Sequence, residues 1–142
     1  MIMNKWKALE FVLNNEEDKV PIEFWSDQEF VLHASHWNGF NFRFANIELK
    51  KDKKFVFEVI KYWGYSFQYV DDKLKKDEEF VIKAIMSSSS VLKYSDKTLK
   101  TNKKFILKVL NLCKSAFEYI DEPLKLDKDI LVLNEVRILK NF

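Results

Sequence analysis

The sequence predicts an all-α protein: a short α-solenoid of about four to five 25-residue helix–turn–short-helix repeats with atypical helical caps. Three observations predict this fold. Matching residues recur at an offset of 25, the apolar residues inside each repeat advance at helical spacing, and glycine and proline number only two each. An all-β chain needs frequent turns marked by glycine or proline, so their scarcity favours helices.

The register of the repeat is marked by an opening Asp or Asn, a Phe three residues later and a closing Leu-Lys. Full repeats are predicted at 27–51, 52–76, 77–101 and 102–126. An N-terminal cap and a partial repeat occupy 1–26, and a C-terminal capping helix occupies 127–142. A unit of this size cannot bury its apolar face alone, so stacked neighbours must share a core. The chain is therefore predicted to be a single repeat domain, 1–142.

The second repeat illustrates the local prediction. Asp52 is a good N-cap because its side chain can accept hydrogen bonds from the free amides of the first helical turn. Gly64 is predicted at the C-terminal end of that helix, in the left-handed conformation that favours glycine. The following segment is long enough for only one or two turns. We call the positions that match at the 25-residue offset a column. Four aromatic residues of this repeat fall in columns that are predicted to form the core: Phe55, Trp63, Phe67 and Tyr69.

Composition excludes several classes of protein. Hydrophobic residues make up 47% of the chain, and 24 basic against 22 acidic residues give a formal charge of +2, so bulk charge does not indicate a polyanion-binding protein. The single cysteine, Cys113, cannot form an intramolecular disulfide. No stretch approaches the roughly 20 apolar residues of a membrane span. We therefore expect a cytoplasmic protein with no membrane association.

Candidate catalytic and metal-binding residues are few. Glu29, His33 and His36 have the spacing of one helix face and could offer metal ligands, but the matching positions of other repeats are charged or polar. That column is therefore predicted to be a solvated face, and no metal site is predicted. Cys113 shares a column with Trp63 and Ser88, at the centre of the predicted apolar face, and is predicted to be a buried structural thiol. Without a catalytic constellation or a glycine-rich phosphate loop, we expect no enzymatic activity and no cofactor.

Two columns are aromatic in the first two repeats and lose their aromatic residues in the third and fourth. Ser87 and Leu112 occupy one of them in the later repeats, and Ser90 and Ser115 occupy the other. A column needed for packing should stay apolar throughout, so its aromatic members are predicted to be exposed and to bind a protein partner. The alternative is that the N-terminal cap helix covers them. We call these residues the aromatic surface: Trp37, Phe40, Tyr62 and Tyr65.

Lysines recur at the end of each repeat and could form a ladder along one edge. A nucleic-acid backbone could lie on such a ladder. Asp52 and Asp77 interrupt it, however, and only two of the 24 basic residues are arginines, so a solubilising face is the other interpretation. The candidate nucleic-acid-binding residues are Lys50, Lys51, Lys75, Lys76, Lys100 and Lys125.

The repeat pattern resembles a helical repeat family of unknown function that occurs in bacteria, protists and effectors of intracellular pathogens. The resemblance covers roughly 24–142, and the third repeat departs from it with serines at 87–90. It implies a helical repeat fold, and because the family has no catalytic motif it implies no active-site residues. The residues that carry it best are Asp52, Phe55, Val56, Val59, Gly64, Phe67, Tyr69, Leu74 and Lys75.

These observations predict a non-enzymatic protein-binding repeat module. Small chains of this type also resemble some anti-CRISPR inhibitors of RNA-guided RNases, which implies an inhibitor whose protein partner is an RNA-guided nuclease. The alternative function is a nucleic-acid-binding solenoid that uses the lysine ladder. The oligomeric state stays open at this point.

Overall fold

A computed structural model describes residues 2–140, with side chains to residue 135; the ends of the predicted caps, residues 1, 141 and 142, lie outside the described residues. Every regular element in the described residues is a helix, which confirms the predicted all-α repeat fold. The α-helices are α1 (Lys5–Leu13), α2 (Gln28–Trp37), α3 (Ile47–Lys51), α4 (Lys53–Ile60), α5 (Asp72–Lys76), α6 (Glu78–Ser87), α7 (Val91–Tyr94), α8 (Lys97–Lys100), α9 (Lys103–Leu112) and α10 (Lys128–Lys140). The 3-10 helices are Glu17–Lys19, Ile22–Ser26, Gly39–Phe44, Gly64–Tyr69, Lys114–Tyr119 and Leu124–Leu126.

The chain divides into two compact units, residues 1–71 and residues 72–142. We call them the N-terminal unit and the C-terminal unit and describe each by itself. The boundary falls inside the second predicted repeat, just before α5. The organisation of the whole chain as one repeat domain stays a prediction.

The predicted N-caps begin the first helix of each repeat. The side chain of Asp27 accepts a hydrogen bond from the Phe30 amide at 2.8 Å, and Asn102 accepts one from the Phe105 amide at 3.1 Å. Asp52 and Asp77 cap α4 and α6 in the same way. Each cap satisfies amides that have no partner within the helix, so the predicted N-cap role of these four residues is confirmed.

A backbone hydrogen bond recurs with the period of the repeat. In the N-terminal unit, the Asn46 amide donates to the Trp25 carbonyl at 2.7 Å and the Asp71 amide donates to the Lys50 carbonyl at 3.1 Å. In the C-terminal unit, the Asp96 amide donates to the Lys75 carbonyl at 3.1 Å. The bond therefore ties the closing segments of successive repeats together. Because Trp25 takes part, the partial repeat before residue 27 has the same register as the full ones.

The opening Phe of each repeat lies at the centre of the core. Phe30, Phe80, Phe105 and Ile130 are at most 2% exposed, and Phe55 is 7% exposed. The Val or Ile that follows the Phe in the four full repeats is also fully or almost fully buried. The buried face of the first helix therefore repeats along the chain, as the helical spacing predicted.

The predicted role of Gly64 is wrong. Neither Gly39 nor Gly64 has a positive φ, and both are buried at the start of a 3-10 helix. The reason for a glycine is visible at Gly39, where a Cβ atom would lie 2.5 Å from Ser66 Oγ and 2.6 Å from Trp63 Cβ. Close approach of the next repeat, and not a left-handed turn, therefore requires glycine at position 39.

Lysines at the first position of two helices pair with the N-cap of a later helix. Lys5 Nζ lies 3.0 Å from Asp27, and Lys103 Nζ lies 3.0 Å from Asp127. The pKa of Asp27 is lowered first by its hydrogen bond from the Phe30 amide and then by Lys5. For Asp127, the hydrogen bond from Lys103 is the largest cause of its lowered pKa. Both carboxylates are therefore held in the charged form that a helix N-terminus favours.

Candidate interaction surface

The aromatic surface lies where two repeats turn from the first helix into the 3-10 helix. Trp37 is the last residue of α2, and Phe40 lies in the following 3-10 helix. Tyr62 follows α4, and Tyr65 lies in the next 3-10 helix. Trp37 is 59% exposed, Tyr62 57% and Phe40 43%, whereas Tyr65 is half-buried. Three of the four predicted side chains therefore present much of their surface to solvent.

Ring contacts connect the two repeats at this surface. The ring centroids of Phe40 and Tyr65 lie 4.7 Å apart. The Tyr62 ring lies 4.2 Å from the ring of His36, the residue before Trp37 on α2. Both contacts join the first repeat to the second inside the N-terminal unit. The side chains of Phe40, Tyr62 and Tyr65 are thus held by their neighbours, which reduces the side-chain entropy that they would lose on binding.

Trp63 also belongs beside this surface, and its assignment to the core is wrong. It is 36% exposed, its ring centroid lies 5.6 Å from that of Tyr65, and its Nε1 donates to the His36 carbonyl at 3.1 Å. Helix α4 ends at Ile60, so Trp63 no longer follows the buried face of that helix. The half-buried polar side chains in the same column of other repeats, Asn38 and Ser88, are the sequence signal that could have indicated this.

The N-terminal cap helix borders the aromatic surface without covering Trp37. Leu9, Val12 and Leu13 of α1 line an open groove of about 380 Å³ together with His36 and Trp37 of α2. Val12 is almost fully buried there. Trp37 nevertheless keeps 59% of its surface exposed, so the packing of α1 leaves most of this ring open to a partner.

The matching positions of the C-terminal unit form a different surface. Ser87 and Ser115 are exposed there, and Ser90 is half-buried with its hydroxyl 3.1 Å from that of Ser88. Leu112, in the column of Trp37 and Tyr62, is 53% exposed. The same backbone positions are thus solvent-accessible in both units, while their aromatic character is confined to the N-terminal unit.

The recurring lysines make contacts inside the fold. Nζ of Lys50 donates to the Arg43 carbonyl at 2.7 Å, and Lys100 and Lys125 donate to the carbonyls of Lys93 and Glu118 at 3.2 and 3.3 Å. Each acceptor lies seven residues earlier, so these lysines link the closing segment of a repeat to its own preceding turn. The side chains of Lys75 and Lys100 are only 19% and 20% exposed, whereas those of Lys51 and Lys76 are 48% and 59% exposed.

The residues considered for metal or thiol chemistry also have contacts within the fold. Glu29 Oε2 lies 2.6 Å from Lys5 Nζ, and the rings of His33 and His36 contact Trp6 and Tyr62. Within the described residues, no group of three or more His, Cys, Asp or Glu side chains could hold a metal ion.

Cys113 is half-buried and not fully buried as predicted; its Sγ lies 3.4 Å from Ser115 Oγ. It follows the end of α9, as Trp63 follows the end of α4.

A family model matches the chain over residues 27–67 and again over residues 52–100. Both matches begin at an N-cap aspartate, one repeat apart. The family is a domain of unknown function, DUF4116. The chain belongs to this family. The DUF4116 matches therefore include both halves of the aromatic surface and the serine-rich third repeat.

Searches of curated proteins and of solved structures found no match for this DUF4116 chain. In the part of the chain that the structure describes, no helix has the length and apolar character needed to cross a membrane.

Proposed function

We propose that this DUF4116 chain is a non-enzymatic protein-binding module, and that the aromatic surface is its binding site. The exposure of Trp37, Tyr62 and Phe40 is the observation that carries the proposal. Exposed apolar patches mark interaction sites, and Trp and Tyr are enriched among the residues that contribute most to binding energy. The proposal includes a protein partner, no cofactor and a cytoplasmic location.

The internal comparison between repeats supports this assignment. Ser87 holds the position of Trp37 and Tyr62 in the third repeat, so the fold itself does not require an aromatic residue there. A partner that buries the ring provides a reason for an exposed Trp that packing does not. Burial of an aromatic side chain removes a large apolar area from water, which makes Trp and Tyr the most frequent hot-spot residues together with Arg.

We expect Trp37→Ala and Tyr62→Ala each to weaken partner binding by at least about 2 kcal/mol, roughly 30-fold in Kd. The partner is captured from a nuclease-treated bacterial lysate with the wild-type chain, identified, purified and titrated calorimetrically against each variant. Leu112→Ala is the matched control, because it changes an exposed apolar residue in the same column. Equal affinity of the wild-type chain and all three variants for the partner would contradict the proposal.

The most specific form of the proposal is an inhibitor that binds another macromolecule, such as an RNA-guided RNase. The resemblance to small anti-CRISPR proteins supports this form. Its direct test is RNA cleavage by a purified RNA-guided RNase complex with increasing amounts of wild-type chain or of the Trp37→Ala variant. We expect the wild-type chain to inhibit cleavage and the Trp37→Ala variant not to inhibit it. Unchanged cleavage across a panel of such nucleases would contradict the inhibitor form of the proposal. Other protein partners would still be tested by the capture experiment.

A nucleic-acid-binding function is the second candidate, and the distribution of charge favours the C-terminal unit for it. Residues 72–142 contain 15 Lys and Arg against 11 Asp and Glu, a formal charge of +4, whereas residues 1–71 contain 9 against 11, a charge of −2. Cationic side chains that neutralise phosphates make affinity fall steeply with salt.

This candidate predicts that the chain binds a labelled single-stranded RNA and raises its fluorescence anisotropy. The affinity should fall with added salt, and it should be lower for the Lys76→Glu variant than for the wild-type chain. Lys76 is the residue of choice because its side chain is 59% exposed, whereas Lys100 and Lys125 also bond backbone carbonyls, so their variants would disturb the fold. Lys7→Glu, in the N-terminal unit, makes the same charge change and is the control. Equal losses in both variants would indicate bulk charge only.

A further inference from the structure

An open groove of the N-terminal unit lies between α2 and α4. Its volume is about 790 Å³, and its apolar floor is formed by Leu32, Phe55 and Phe57. Leu32 and Phe57 are half-buried, and the same column is apolar and half-buried in all four full repeats. The floor is therefore a general property of the repeat and does not by itself indicate a ligand.

The rim of this groove is acidic, and one of its carboxylates, Glu58, is not required by the repeat. Glu29, Asp52 and Glu58 line it, with Lys54 as the basic residue among the lining side chains. Asp52 caps α4, and Glu29 pairs with Lys5, so the fold itself uses both. Glu58 is different: it is exposed on the outer side of α4, beside Phe57 of the floor.

The corresponding groove of the C-terminal unit, between α6 and α9, is less acidic, because Lys104 and Lys108 balance Glu78 and Glu79 there. Asn102 stands there in the column of Asp52, and Lys108 stands in the column of Glu58. The third repeat also has a lysine in that column, Lys83. The fold thus accepts a lysine at this helix position in two repeats, so Glu58 is not needed for packing or for helix formation.

We propose that the groove between α2 and α4 binds a basic segment of a partner protein, in which Arg or Lys side chains flank an apolar residue. The apolar residue would pack on Leu32 and Phe57, and a guanidinium group would form a charge-assisted pair with Glu58. Complementary charge is the argument for this occupant: the groove has an acidic rim and lies in a unit of formal charge −2. The carboxylates repel phosphate, so the same groove disfavours a nucleic acid. This inference does not depend on the aromatic surface.

The test uses the full chain and a fluorescein-labelled peptide, Gly-Arg-Leu-Arg-Arg-Leu-Arg-Gly, with binding followed by anisotropy. We expect Glu58→Lys to weaken binding about tenfold or more, as loss of a charge-assisted pair together with new repulsion requires. Glu23→Lys is the matched control, because it makes the same charge change at an exposed residue outside the groove. It should change the affinity less than about twofold.

Each outcome decides the proposal. A peptide with Gly in place of both Leu residues should bind more weakly than the original, since it cannot use the apolar floor. Equal losses in Glu58→Lys and Glu23→Lys, or no binding to the wild-type chain, would overturn the proposal. Self-association of the wild-type chain that Glu58→Lys abolishes would assign the groove to a second copy and overturn it as well. Trp37→Ala should leave peptide binding unchanged, which separates this test from that of the aromatic surface.

Discussion

Phe30→Ala is expected to lower the free energy of unfolding of the N-terminal unit by about 3–5 kcal/mol. Phe30 is fully buried, and its ring lies 5.4 Å from that of Phe24 and 5.1 Å from that of Trp25. Removing it leaves a cavity between α2 and the partial repeat that its rigid neighbours cannot fill. Domains of this size are stable by only about 5–15 kcal/mol, so the loss would be a large fraction of the total.

Urea denaturation followed by tryptophan fluorescence measures this effect selectively. The four tryptophans all lie within residues 1–71, so their emission reports on the N-terminal unit. Phe40→Ala is the matched control, because it removes the same atoms from a side chain that is 43% exposed; we expect it to cost about 1 kcal/mol or less. Similar losses at the two positions would contradict the burial described for Phe30.

The opening and the interior of each repeat could be predicted from the sequence because both depend on local chemistry. An Asp or Asn three residues before a Phe supplies the N-cap of a helix, and a residue spacing of three or four places the apolar side chains on one face. Both effects are contained within about ten residues, and the same solution occurs in every repeat. The family model also matches the chain twice in this register, with starts one repeat apart.

The ends of the first helices could not be predicted as well, because they depend on neighbouring repeats. Gly39 has an ordinary backbone conformation, and the requirement for glycine arises from Trp63, which lies 24 residues away in the sequence. Trp63 in turn leaves the core because α4 ends at Ile60. A helical projection continued past the end of the helix assigns such residues to the wrong face.

For the candidate sites, comparison between repeats was more informative than residue type. The change from Trp37 and Tyr62 to Ser87 in one column indicated exposed aromatic residues, and the structure places Trp37 and Tyr62 in solvent. The recurrence of lysine, by contrast, suggested a charged edge, whereas Lys50 forms a hydrogen bond with a backbone carbonyl. A column that stays constant tends to serve the fold, and a column that changes character in one unit is free to serve a partner.

Gly39→Val is expected to lower the free energy of unfolding of the N-terminal unit by about 3 kcal/mol, the upper end of the range for overpacking a core. The added Cβ would lie 2.5 Å from Ser66 Oγ and 2.6 Å from Trp63 Cβ, and the second of these atoms belongs to a rigid part of its side chain. Separation of the two repeats would also stretch the 2.9 Å hydrogen bond from Ser66 Oγ to the Gly39 carbonyl. The variant therefore loses packing and a buried hydrogen bond together.

The same variant should displace Trp63 and, with it, the neighbouring rings of the aromatic surface, because Trp63 contacts Tyr65 and donates to the His36 carbonyl. Urea denaturation and near-UV circular dichroism measure the two effects separately. Ser89→Ala, in the same column of the third repeat, is the control and should change stability by no more than about 0.5 kcal/mol. If Gly39→Val were as stable as the wild type with an unchanged aromatic spectrum, close approach would not be the reason for glycine. If the spectrum changed while the free energy of unfolding did not, the two repeats could separate with little loss of stability. Gly39 would then be needed for the geometry of the aromatic surface and not for stability.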